Sequence, residues 1–245
     1  MKIISLFFVI LISSGCSQNY TWGWYILNPF LDNGSTNLKF LLSGLNITII
    51  ISVLSILFSL LLGFLISLLG ISKNRILNWI NISYIEIFRS IPLLVLILWV
   101  YYGLPVVFGL SFGPFVAGII SLSLSDSAFE AEIFRAGLQS ITKGQTDASK
   151  SLGLNKYQEL RLIVLPQALR IILPAIGNQF VYVLKMSSLV SIVGLADLTR
   201  KANELVVTVY RPLEIYSFLV LEYLILILLI SFLVRKIEKK LKLDI

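Results

Sequence analysis

The stretch between Lys39 and Lys73 contains no charged residue, and this constrains the chain more than any other feature. A hydrocarbon core of about 30 Å takes about 20 helical residues at about 1.5 Å each. In lipid every backbone N–H and C=O needs an internal partner, so such a run crosses as a helix. Leu45 to Leu69 is the centre of that first span. A second uncharged region, Ser90 to Ser125, is too long for one helix and is interrupted by Gly103, Pro105, Gly109, Gly113 and Pro114. It reads as two spans joined by a short turn. Ile171 to Leu195, broken only by Lys185, and Ile215 to Val234 supply two more.

Composition agrees with this reading. The chain is 57% hydrophobic with a mean hydropathy of +0.91, and its 13% of charged residues is about half the share usual in soluble domains. Its 245 residues suit one all-α membrane domain of about five or six spans. Histidine is absent, there is one Cys, and no G-x-x-x-x-G-K-[ST] loop occurs. Metal centres, thiol pairs and ATP binding by this chain itself are therefore not expected. The formal charge of +7 points to membrane topology and anionic lipid, not to nucleic acid.

Residues 1–16 read as a leader: Lys2, an apolar run from Ile3 to Ile12, then Ser13-Ser14-Gly15-Cys16. A Cys directly after small residues resembles a bacterial lipobox, in which Cys16 is lipidated; an uncleaved leader with an incidental Cys is the alternative. Either way residues 17–40 form an extracytoplasmic segment rich in interfacial aromatics, Tyr20, Trp22, Trp24 and Tyr25. Residues 41–242 form the membrane domain. With the mature N-terminus outside, Lys73, Arg75, the Arg135 to Arg170 group and the Arg235 to Lys242 group fall inside. Only Lys39, Arg200, Lys201 and Arg211 remain outside. The positive-inside rule thus selects five mature spans in the cytoplasmic (inner) membrane, N-out and C-in.

Between the third and fourth spans lies a charged, glycine-punctuated segment. Thr142 with Gln145, and Asn155 with Gln158, have the spacing of capping boxes, so two short helices are predicted. Gly153 suits a left-handed end to the first, and Pro166 is expected to close the second. Asp147-Ala148-Ser149, three residues, Gly153, nine residues, Ile163 and then Leu165-Pro166 resembles the EAA signature of bacterial ABC importer permeases, with Asp for Glu and Ser for the second Ala. Glu86 to Pro92, Glu132 to Gly137, Leu165 to Arg170 and Ser188 to Ser191 resemble the permeases of the polar amino acid importers (histidine, glutamine, arginine), a likeness covering roughly residues 40–240. The resemblance implies a dimeric type I permease in which Asp147, Ala148, Ser149, Gly153, Ile163 and Pro166 form a coupling element on a cytoplasmic ABC ATPase dimer. It further implies a second copy or a homologous permease, and an extracytoplasmic solute-binding protein. ATP and Mg would be used by the ATPase, with no cofactor on this chain.

Ionisable residues inside spans are costly and face protein or water. Asp126 and Glu130 share one face of the third span. They are candidates for a cationic solute such as arginine, and Asp126 alternatively for pairing with Lys185. Ser127, Lys185, Ser187 and Ser188 are further candidates for the path. Glu86 and Arg89, three residues apart, are expected to form a structural ion pair. A proton- or sodium-driven carrier using Asp126, Glu130 and Glu222 is the rival function; a membrane enzyme lacks a catalytic residue set.

Overall fold

One face of the first apolar run carries Thr48, Ser52, Ser55, Ser59, Gly63 and Ser67, spaced three or four apart, so a helix gathers them into a narrow stripe. The computed structural model describes residues 20–72 and 74–242, and Cys16, the leader and Lys73 lie outside the described residues. Its helices are α1 (Asp32–Leu42), α2 (Gly44–Ile71), α3 (Arg75–Ser90), α4 (Leu93–Leu98), α5 (Leu104–Phe108), α6 (Pro114–Gln139), α7 (Lys143–Ser151), α8 (Lys156–Glu159), α9 (Leu165–Met186), α10 (Leu198–Val209) and α11 (Pro212–Lys242).

The stripe is buried along α2, and α6 lies against it. Ser123 Oγ donates to the Ser55 carbonyl at 3.1 Å, Ser59 Oγ donates to Asp126 at 2.9 Å, and the Phe64 and Phe134 rings meet edge to face at 5.5 Å. Partner numbers rise together, so the two helices run parallel. Small residues permit this approach: a Cβ added at Gly63 would sit 2.8 Å from Glu130 Cβ and 2.9 Å from the Ser127 carbonyl oxygen. Lipid tails are as apolar as Leu, so helices associate in a bilayer through such close packing and short polar contacts. α9 and α11 complete the bundle, both packed on one another and α9 also on α6.

Among the described residues, three stretches are long and apolar enough to cross a membrane: Asp32–Ile71, Lys156–Val193 and Pro212–Lys239. Arg75–Ser90 with Leu93–Phe108, bent by 97° at Ile91-Pro92, makes a fourth if counted as one span. The 26 residues of α6 reach about 39 Å, long enough to be the fifth, although Asp126, Glu130, Glu132 and Arg135 lower its apolar character. The turn between the two halves of the Ser90–Ser125 region falls at residues 109–113, where Gly109 is left-handed and Pro114 starts α6.

Two prolines are accommodated by the same device. A π-helical turn at Trp99–Gly103 precedes Pro105, and another at Leu160–Val164 precedes Pro166. Each turn carries an i→i−5 bond, Leu104 N–H to the Trp99 carbonyl and Leu165 N–H to the Leu160 carbonyl. The widened turn lets a residue without an N–H follow without breaking the helix. Pro166 therefore does not close the second short helix, contrary to the sequence expectation; it lies in the first turn of α9, and the helical path continues from Lys156 to Val193.

At the opposite end of the bundle, residues 20–27 are tied to the start of α11. Tyr20 Oη donates to Glu214, Gly23 N–H donates to Glu214 at 2.5 Å, and Arg211 donates to the Thr21 carbonyl at 2.8 Å. Ile26 and Leu27 then join Leu41, Ala202, Leu205 and Ile215 in a small apolar core. Nearby, Asp197 caps α10 by accepting from Arg200 N–H at 2.8 Å, while its other oxygen is buried without a partner among the described residues. Burial pushes this carboxyl up to about 6. Because folding raises it from 3.8, its contribution to stability is present at low pH and is lost as pH rises through about 6.

Two outcomes follow for stability. Gly63→Leu forces α2 from α6 and is expected to cost about 1–3 kcal/mol, read as a lower thermal midpoint in detergent. Asp197→Asn keeps the cap but removes the titration, so its midpoint should rise relative to the parent protein between pH 4.5 and pH 7; a constant difference across that range would exclude Asp197 as the source.

Candidate functional site

Asp126 and Glu130 are brought together, but inside the protomer. Asp126 is 2% exposed, accepting from Ser59 on α2 and from Gln179 Nε2 on α9. Glu130 is fully buried, with no hydrogen-bond partner for either oxygen among the described residues. Lys185 makes no ion pair with Asp126: α9 directs Gln179 at it and leaves Lys185 exposed. The acidic pair is thus part of the three-helix contact of α2, α6 and α9. Ser127 donates to the Leu124 carbonyl and meets Tyr84 Oη at 2.7 Å. Ser187 and Ser188 donate to the carbonyls of Leu184 and Lys185, so these hydroxyls serve their own helix.

The polar surface of the bundle lies elsewhere on α9. Asn178, Tyr182 and Lys185, spaced by four and three residues, occupy one helical face and are exposed. With Ser231, Arg235 and Glu238 of α11 they border a cavity of about 400 Å³. Such side chains on a membrane helix face water or another protein surface rather than lipid. Asn178 and Tyr182 were not singled out from sequence, although their spacing with Lys185 carries the signal.

The charged segment folds into α7, a turn and α8. Asn155 forms the capping box, accepting from Gln158 N–H at 2.9 Å while Gln158 Oε1 accepts from Asn155 N–H at 3.0 Å. Thr142 is the extended N-cap of α7, but its side chain makes no capping bond. α7 ends in a Schellman motif: Leu154 N–H bonds to the Ser149 carbonyl at 3.1 Å and Gly153 N–H to the Lys150 carbonyl at 2.9 Å. Gly153 has φ +76°, which a side chain adopts only with strain. Asp147, Ala148 and Leu152 are exposed, Leu152 at 78%. Ser149 is not on that face: it is fully buried, its hydroxyl donating to the Thr146 carbonyl at 2.8 Å. Ile163 sits half-buried in the π turn and Pro166 is exposed at the start of α9.

The expected Glu86–Arg89 pair is absent. Arg89 reaches across to Glu132 of α6 at 2.5 Å and lies over the Phe129 ring at 5.2 Å, while Arg135 approaches Glu132 at 3.7 Å. Glu132, set between two cations, offers Arg89 a better partner than Glu86 on its own helix. These groups are roughly a third to a half exposed, so the pair contributes about 0–1 kcal/mol.

Comparison with known proteins places this geometry in context. A family model described as "Binding-protein-dependent transport system inner membrane component" matches residues 55–243. The glutamine transport system permease protein GlnP of Escherichia coli (strain K12) is 36% identical over 203 residues, covering 82% of this chain and 93% of GlnP. The arginine transport system permease protein ArtQ of Bacillus subtilis (strain 168) is 38% identical over 205 residues, 84% of this chain and 94% of ArtQ. A chain from a crystal structure of an amino acid ABC transporter with histidines superposes with a TM-score of 0.82 at 35% identity, covering 90% of this chain and all of that one. A chain of the inward-facing MetNI methionine ABC transporter, at 23% identity and a TM-score of 0.69, shares the fold.

Gln179→Ala removes one of the two donors to the buried Asp126, and losing a hydrogen bond to a buried charge-bearing group costs about 1–3 kcal/mol. Its thermal midpoint is expected to fall, and Gln179→Glu, which sets an acid against an acid, should fall further. A Gln179→Ala protein as stable as the parent would remove this contact from the account.

Proposed function

Because the chain belongs to the family of binding-protein-dependent transport system inner membrane components, we propose that it is the permease subunit of an ATP-driven importer carrying a polar amino acid. Its relatives are named for glutamine and arginine, and the matching structure for an amino acid transporter with histidines. Solute arrives from an extracytoplasmic binding protein and leaves into the cytoplasm, with the N-terminus outside and the C-terminus inside. ATP and Mg are handled by a separate ATPase dimer. A second copy, or a homologous permease, faces this one across the path.

The observation that carries this reading is the exposed polar face of α9, on a helical path, Lys156–Val193, that begins just after the exposed α7–Gly153 turn. Lys185 supplies a cation suited to an amino acid carboxylate, and Asn178 and Tyr182 supply hydrogen-bonding groups on the same side. Asp126 holds helices together through Ser59 and Gln179, and Glu130 is buried in the same contact, so neither faces the solute. The face of α7 bearing Ala148 and Leu152 receives the ATPase. Nucleotide binding there shifts the permease between inward- and outward-open states to the extent that the docked ATPase favours one of them.

Uptake in inverted-topology-free membrane vesicles co-expressing the cognate ATPase and binding protein tests this directly. Lys185→Met should lower ATP-dependent amino acid uptake by about ten- to a hundredfold, the equivalent of one charge-assisted hydrogen bond, with ATPase co-purification intact. Gly153→Asp should abolish co-purification of the ATPase while the protein still inserts. Uptake driven by an ion gradient without ATP would overturn the proposal.

A further inference from the structure

A second cavity, of about 310 Å³, opens between α2, α9 and α11. Leu57 and Leu60 of α2, Leu173 and Phe180 of α9, and Ile237 of α11 are among its walls, and Glu238 is the one charged lining residue. Leu57 and Leu173 are exposed at its rim, continuous with the lipid-facing side of α2. Water gains nothing from such walls, whereas an acyl chain enters them from the bilayer at no transfer cost and gains close packing. A hydrocarbon chain is the natural occupant.

The charges at one end specify the head group. Glu238 is half-buried and makes no ion pair among the described residues. Arg235, one turn before it on the same face of α11, and Lys239, the next residue, are both exposed and equally outside the ion pairs among the described residues. An acid beside an apolar groove and flanked by cations matches a head group that carries both an amine and a phosphate. A purely anionic head group leaves Glu238 opposed, and a quaternary ammonium offers it no N–H donor.

We propose that this groove seats an acyl chain of an aminophospholipid, with the ammonium on Glu238 and the phosphate between Arg235 and Lys239. Arg235 and Glu238 also border the cavity of about 400 Å³ beside the polar face of α9, so the head group sits at the edge of that face, while the acyl groove lies on the other side of α11; the inference does not rest on the identity of the solute.

Native mass spectrometry of the full-length protein released from nanodiscs holding equal phosphatidylethanolamine, phosphatidylglycerol and phosphatidylcholine tests it. The expected result is retention of phosphatidylethanolamine over the other two by about fivefold, roughly what one head-group charge contact supplies. Glu238→Gln should keep lipid bound but erase the preference. Leu57→Trp, which fills the groove from an exposed rim position, should lower retention of all three. Equal retention of the three lipids by the parent protein would overturn the proposal, as would unchanged retention in Leu57→Trp. So would a lipid-free dimer, which would assign the groove to a second copy of this chain.

Discussion

The seam between α2 and α6 is the contact on which the rest of this bundle depends. It is made of hydroxyls and hydrogens in place of larger side chains, which lets two parallel helices approach until backbone and Cβ atoms touch. That closeness lets Ser59 reach Asp126, and Gln179 then draws α9 onto the same carboxylate. Three helices are thereby fixed around one acidic residue. A buried acid in a bilayer holds its helices only while its donors are present, which makes the junction stabilising and easily broken.

With α9 fixed on one side by Gln179, the face next to that contact is defined. Asn178, Tyr182 and Lys185 lie about a quarter turn from Gln179, with the Tyr182 ring 6.4 Å from Phe129 of α6, and leave a polar surface where a simple membrane span would present Leu or Ile. The same helix reaches back through a π turn to α8 and the α7–Gly153 motif. The proline that ought to interrupt this route is absorbed by the extra residue of the π turn. One helical path, Lys156–Val193, therefore runs from just after the Gly153 turn to the polar face, the route along which the proposed ATP-driven gating would act.

Much of this was legible in the sequence for identifiable reasons. Uncharged runs located the spans because the bilayer penalises charge regardless of tertiary detail. Gly153 and the Asn155–Gln158 box were legible because caps are local. Pro166 was misjudged because its effect depends on the turn before it, and a π turn has no local signature. The role given to Asp126 depended on its neighbours: depth in a span announces a polar partner but does not say whether that partner is solute, Lys185 or a glutamine on another helix. The Glu86–Arg89 expectation failed the same way, since i,i+3 spacing permits a pair while a doubly flanked Glu132 nearby takes the arginine. The stripe from Thr48 to Ser67 was present in plain view at helical spacing and points directly to the seam.

The central claim is that the exposed turn at the end of α7 receives an ATP-hydrolysing subunit while the far end of the bundle does not. The most direct measurement places a photo-crosslinking side chain at Leu152, 78% exposed on that turn, and in a separate protein at Phe30, 92% exposed at the opposite end, and identifies the adducts formed in native membranes. The account predicts an ABC ATPase captured from Leu152 and absent from Phe30. The same ATPase captured from Phe30, or no ATPase from Leu152 in a folded protein co-expressed with its transport partners, would contradict it.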